Sequence, residues 1–305
     1  MIETFRRALP NGTTLSCRAS GPPGRPLMVF LHGFPEGAFV WDGLLEHFAQ
    51  PANGGYRCVA PNLRGFEHSS APAEPSDYRA HLLVQDIQQL VATESTDGRI
   101  AVLVAHDWGG AFGWGYANAF PQQVERLVIL NSPHPGTFAR ELRDSPAQQA
   151  ASAYMNFLAR PDAEALLAED DFRRMWTFLQ GPDAATGQPA WLTEPVKDQY
   201  RALWGAGLVG GCNLYRVTPL KPAPQGQPAA ERRVPPRERL TVDVPTLVIW
   251  ALDDIALLPG LLDGLDDYVR DLTLCRVPGA SHWIVHEQPE RVAHEIASFV
   301  QRPLQ

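Results

Sequence analysis

The stretch Val104-Ala105-His106-Asp107-Trp108-Gly109-Gly110 decides how this 305-residue chain is read. It follows an apolar run at 100–105 and opens onto a helical pattern. A sharp strand-to-helix turn that lifts one side chain above a sheet leaves little room around it. Small residues are therefore required two before and two or three after the raised position, and Ala105, Gly109 and Gly110 stand there. The raised residue is Asp107. The N–H groups opening the next helix add positive potential beside its carboxylate. Such a carboxylate is a covalent catalyst that attacks an electrophilic carbon and forms an ester. The competing reading, an Asp that only caps the helix, is also open to this residue type. The glycines resemble a phosphate loop only superficially, because GxGxxG is absent and no dinucleotide site is expected.

Upstream, Leu31-His32-Gly33-Phe34-Pro35-Glu36 follows another apolar run. A backbone N–H from such a loop joins the one after the nucleophile to hold an oxyanion, which assigns the hole to Phe34 and Trp108. Phe34-Pro35 is expected to be cis in a tight turn. Downstream, Gly279-Ala280-Ser281-His282-Trp283 follows the last apolar run. Of nine histidines, His282 is placed to be the base, in the chain order nucleophile, acid, histidine. His106 is expected to point into the core, and His32 to shape the oxyanion turn. His68, His81, His134, His286 and His294 read as surface or packing residues. The acid that orients His282 should follow the run at 246–250, where Asp253 and Asp254 both qualify.

Composition limits the remaining possibilities. Hydrophobic residues at 45% and charged residues at 20% are ordinary for a globular chain. The net charge of -8 argues against nucleic-acid partners, which select a basic stripe. Four scattered cysteines give no CxxC and no metal-ligand spacing, so neither a metal nor a cofactor is expected. Residues 1–7 lack the apolar core of a signal peptide, and no run is long enough to cross a bilayer. A cytoplasmic protein without membrane partners is the resulting expectation; oligomeric state is not legible.

Apolar runs at 27–31, 57–60, 100–105, 127–130, 246–250 and 272–277 alternate with helical patterns, the signature of βαβ units. Most are continuously apolar, as strands covered on both faces must be. Leu83, Val84, Ile87, Leu90 and Val91 fall at helical spacing. Residues 5–18, with Asn11-Gly12, read as an antiparallel hairpin. The alternation stops after Asn131. Helix-like sequence to about Gly211 and a Pro-rich linker at 219–239 precede its return. A helical insertion within one α/β domain is the simplest account: core 1–134, insertion 135–242, core 243–305.

With these residues in place, the chain resembles the soluble epoxide hydrolase branch of the α/β-hydrolase superfamily, a group that also holds haloalkane and haloacetate dehalogenases. The resemblance is carried by HGFPE at 32–36, HDWGG at 106–110 and SHW at 281–283. It implies an eight-stranded, mostly parallel sheet, helices on both faces and a helical cap over the site. It also selects Asp254 over Asp253 as the acid. Two cap tyrosines that activate the oxirane oxygen are implied at Tyr154, in Ala153-Tyr154-Met155-Asn156-Phe157, and at Tyr215, in Cys212-Asn213-Leu214-Tyr215-Arg216. A strained ether leaves poorly unless its oxygen receives a proton or hydrogen bond, so both hydroxyls should face Asp107. Trp108, Phe34 and Trp283 are implied against the substrate, a small apolar epoxide that reacts with water. Glu67 departs from the pattern, standing where relatives usually carry glycine.

A dehalogenase would use the same Asp and His, so the leaving group decides. Trp108 offers one halide donor, whereas Phe34 cannot offer the second. The arginines that clamp a haloacetate carboxylate are replaced by Trp108 and Ala111, and the earlier acid position holds Asn131. All three favour an epoxide. A non-enzymatic binding protein of the same fold would have lost a member of the Asp–His set, and none is lost here.

Overall fold

The computed structural model describes residues 1–180, 189–223 and 236–303. Strands β1 (Glu3–Ala8) and β2 (Thr14–Ser20) form the expected antiparallel hairpin, and Gly12 takes the positive φ of +85° that its turn requires. Strands β3 (Leu27–Leu31), β4 (Arg57–Pro61), β5 (Val102–His106), β6 (Leu127–Leu130), β7 (Thr246–Ala251) and β8 (Leu272–Val277) complete an eight-stranded sheet. The strand order is β1-β2-β4-β3-β5-β6-β7-β8, parallel from β4 onward. Strand β5 begins two residues later than its apolar run, because Ile100 instead makes an isolated parallel bridge to Val124.

Why the runs are continuously apolar is visible in β3, all of whose residues are buried. Leu27, Val29 and Leu31 enter one core, and Met28 and Phe30 enter the other. The second core packs under α1 (Asp42–Ala49), α10 (Ile284–Glu287) and α11 (Pro289–Val300). The first packs under α2 (Ala80–Glu94), which buries Leu83, Val84, Ile87, Leu90 and Val91, and α3 (Trp108–Ala119).

Between β6 and β7 the described residues hold helices and no strand: α4 (Pro135–Asp144), α5 (Pro146–Ala151), α6 (Tyr154–Leu158), α7 (Ala163–Gln180), α8 (Glu194–Gly205) and α9 (Val209–Val217). Helix α7 is broken at Glu169–Phe172, where Asp170, Asp171 and Phe172 adopt positive φ. Most of the expected Pro-rich linker, at 224–235, lies outside the described residues. Among the described residues no helix is long and apolar enough to cross a membrane.

The helical insertion meets the sheet domain closely. A Cβ on Gly65, in the loop after β4, would sit 2.4 Å from the Cα of Gly210 in α9, and one on Gly210 would sit 2.3 Å from the Cα of Gly65. The Trp204 indole N–H in α8 donates to the Pro35 carbonyl at 2.7 Å. The departure at Glu67 also has its explanation here. Its φ of +48° is the conformation that favours glycine, and its carboxylate instead accepts from Ser16 Oγ (2.9 Å) and from the Asn62 side chain.

Candidate active site

Asp107 sits at the turn between β5 and α3 with φ +49° and ψ -122°, a strained conformation for a residue with a Cβ. The surroundings hold it there. Its carbonyl accepts from Ser132 Oγ at 2.6 Å. A side chain at Gly109 would meet the Leu31 carbonyl oxygen at 2.4 Å, and one at Gly110 would meet Ser132 Cβ at 2.3 Å. Gly33 is as constrained, since a Cβ there would lie 2.2 Å from Asp107 Oδ1. The small residues that mark this turn are therefore demanded by close approach.

The Phe34 N–H donates to Asp107 Oδ1 at 2.8 Å, and Phe34-Pro35 is cis. His32 shapes this turn from beneath: its Nε2 accepts from the Leu63 N–H (3.0 Å), and Nδ1 donates to the Gly33 carbonyl (2.8 Å). Burial pushes its pKa down to about 4, in keeping with a neutral ring.

His282 presents Nε2 to Asp107 Oδ2 at 3.7 Å, and its Nδ1 lies 2.7 Å from Asp254 Oδ2. Asp254 is buried, whereas Asp253 is exposed at the rim. Burial opposes ionisation of Asp254, but the His282 charge and hydrogen bond hold its carboxyl below the usual range. Asp254 Oδ1 accepts from the N–H groups of Ala256 and Leu257, at 2.8 and 2.9 Å. Asn131, at the end of β6, donates to Asp254 Oδ2 at 2.8 Å and accepts from the Ala251 N–H at 2.8 Å. For His282 itself, burial would lower the pKa. The Asp254 carboxylate, then Asp107, outweigh it and lift the imidazole to about 9.

Asp107, His282, Asp254, Phe34, Trp283, Tyr154 and Tyr215 line one cavity of about 390 Å³, with Leu158, Phe178 and Ile255 among its apolar walls. Among the described residues no Lys or Arg lines it. Tyr154 opens α6 and Tyr215 lies in α9, so both tyrosines come from the insertion. Their ring centroids are 6.1 Å apart at 72°. Burial, reinforced by the Asp107 charge, pushes both phenols above their ordinary range, so each keeps its proton. The Trp108 side chain is hydrogen-bonded to the phenol of Tyr215, which lines the cavity. It stacks on Phe112 and stands edge-on to Tyr215, 5.1 Å between centroids, as a backing for the tyrosine. Of the insertion's aromatics, Phe178 lines the cavity, whereas Trp176 packs on Trp204 and Trp191 stacks on His286.

Two parts of this arrangement carry no sequence signal. His106 is buried as expected, but its Nδ1 meets Glu36 Oε2 at 3.1 Å and its Nε2 donates to the His282 carbonyl at 2.9 Å. His286, read as surface or packing, lies 3.0 Å from Glu36 Oε1 and 2.9 Å from the Tyr200 hydroxyl. Gln148 is equally unannounced as a support of the Asp254 loop, because a lone amide has no spacing rule. Asn131, noted in the sequence only as an amide at the earlier acid position, proves to hold Asp254.

The fold is shared by known proteins. A family model described as the alpha/beta hydrolase fold matches residues 26–289. The chain is 32% identical to the AB hydrolase superfamily protein YfhM of Bacillus subtilis, across 95% of both chains. It is likewise 32% identical to epoxide hydrolase 3 of Xenopus tropicalis, across 92% of this chain and 73% of that one. A solved structure from a study of novel epoxide hydrolases in metagenomes from hot environments superposes with a TM-score of 0.85 at 34% identity, covering 99% of this chain and 100% of the other. A raised acidic residue after the middle strand of such a sheet, with its histidine behind the last strand, completes the case: this chain belongs to the α/β-hydrolase fold family.

Proposed function

We propose that the protein hydrolyses epoxides to vicinal diols through an ester on Asp107. The observation that carries this reading is the pair Tyr154 and Tyr215, both protonated, in the wall of the cavity that holds Asp107. Asp107 Oδ2 attacks an oxirane carbon in line; the C–O bond breaks, and the departing oxygen takes a proton or hydrogen bonds from the tyrosines. His282, oriented by Asp254, then takes a proton from water, which adds to the Asp107 carboxyl carbon. The resulting oxyanion at Oδ1 rests on the Phe34 amide, with the Trp108 amide as its second donor. Collapse expels the diol, whose new oxygen is the former Oδ2. In this reading residues 135–242 are the cap, set between core segments 1–134 and 243–305, and Trp283 and Phe34 are apolar walls for the substrate.

Relatives named epoxide hydrolases support the assignment. The dehalogenase alternative lacks its second halide donor, since Phe34 stands at that position. The test is a panel of styrene oxide, an aliphatic epoxide, a bromoalkane and fluoroacetate. Diol should form from the epoxides, with halide release far slower. Halide release matching the best epoxide rate would overturn the assignment.

A further inference from the structure

Asp254 owes its position to a short loop, and that loop is gripped from the insertion. The Ala256 and Leu257 amides fix Asp254 Oδ1 at 2.8 and 2.9 Å. The same loop is held on both sides by one side chain in α5. Gln148 Nε2 donates to the Ala256 carbonyl at 2.8 Å, and Gln148 Oε1 accepts from the Leu258 N–H at 3.0 Å. Gln148 is fully buried. Its own place is set by Ser145 Oγ, which accepts from the Gln148 N–H at 3.2 Å, and by Ser152 Oγ, 2.9 Å from Nε2.

A buried amide is destabilising unless it is satisfied, and here both ends of the amide are used. The bonds run between two segments distant in sequence, 108 and 110 residues apart. Tyr154 opens the next helix after the one that carries Gln148.

We propose that Gln148 is the positioning residue of the acid–base pair, holding the loop at 255–258 so that Asp254 keeps His282 aimed at the ester on Asp107. The inference rests on the reading of His282 as the base of ester hydrolysis. Gln148 touches neither substrate nor reacting atoms, so its effect must appear in the second chemical step and not the first. Attack by Asp107 needs the Phe34 amide and the tyrosines, whereas the side-chain bonds of Gln148 run to Ser152 and to the loop that holds Asp254. Hydrolysis needs the Asp254–His282 bond. A loop released from the clamp moves Asp254 off His282 and weakens the charge that raises the imidazole. The other groups facing that ring are Asp107, Glu36 and His106, and none of them is bonded to Gln148.

The experiment is single-turnover kinetics with styrene oxide as a function of pH, resolving formation of the enzyme ester from its decay. In Gln148→Met, which keeps the volume without the bonds, ester formation should stay within about twofold of wild type. Decay should slow about 10- to 100-fold, the scale of a misaligned catalytic group, and its pH midpoint should fall. Gln148→Asn, polar but one methylene too short to span the loop, should behave the same way and is read if the Met variant does not fold. Equal slowing of both steps with an unmoved midpoint, or unchanged decay, would overturn the proposal. Failure of the underlying reading is distinguishable, because the wild type would then form no ester at all.

Discussion

The Phe34 N–H holds Asp107 Oδ1 at 2.8 Å, while Asp107 Oδ2 lies 3.7 Å from His282 Nε2. The two oxygens of one carboxylate are therefore already unequal. Oδ1 is committed to the donor that later stabilises an oxyanion, and Oδ2 is the one left to attack. In a single turnover in ¹⁸O-water, the diol should carry unlabelled oxygen and the label should appear in Asp107. Label entering the diol directly would make Asp107 a general base.

Dividing the reaction between Asp107 and His282 predicts a trapped intermediate. His282→Gln should react with an epoxide and then stall, giving a persistent adduct with the mass of the epoxide by intact-protein mass spectrometry. Asp107→Asn should give none.

The tyrosines should act on the first step. Tyr154→Phe and Tyr215→Phe each remove one donor to the leaving oxygen, and ester formation should slow about 10²-fold in each. The double variant should lose turnover while keeping its circular dichroism spectrum. Single variants whose ester forms at the wild-type rate would remove that tyrosine from the mechanism.

The pH dependence follows from His282. With Asp107 ionised the imidazole titrates at about 9, raised by Asp254 and then by Asp107. Esterification removes the Asp107 charge, so in the intermediate the midpoint must lie below that of the resting enzyme. The neutral imidazole is the base, so ester decay should rise with pH through this lower midpoint and fall as the ring protonates below it. Stopped-flow decay profiles compared with an NMR titration of the free enzyme would test the order. A decay midpoint equal to or above the resting value would contradict it.

Asn131 carries a stability prediction. It holds Asp254 Oδ2 and satisfies the Ala251 N–H, both buried, from a backbone at φ +35°. Asn131→Gly tolerates that φ but removes the side-chain bonds to Asp254 and to Ala251, and should cost about 1–3 kcal/mol in urea unfolding. Ester decay should slow in the same variant, since Asp254 loses a support.

Much of this is legible because steric necessity writes itself into residue type. Ala105, Gly109 and Gly110 announce the Asp107 turn, and a side chain at either glycine would collide with backbone or with Ser132. The covered strands announce themselves as continuous apolar runs such as Leu27–Leu31. The two acids after β7 cannot be separated by spacing. Asp254 is distinguished by burial and by the Ala256 and Leu257 amides, which only the folded loop supplies. Glu36, Gln148 and His286 stay silent because buried polar networks join residues far apart in sequence, where no periodicity relates them.

The contact between Gly65 and Gly210 bears on how this protein could be reshaped. Backbone meets backbone there, so the height of α9, and of Tyr215 with it, above Asp107 admits no adjustment through side-chain size. Variation at either glycine would push the donor off its target before it altered what the cavity accepts. New substrates must therefore be accommodated elsewhere, at Ala150, Ala151, Leu158, Phe178 and Ile255, which line the cavity on elements other than the one bearing Tyr215. A library confined to those positions would explore selectivity while the chemistry stays in register.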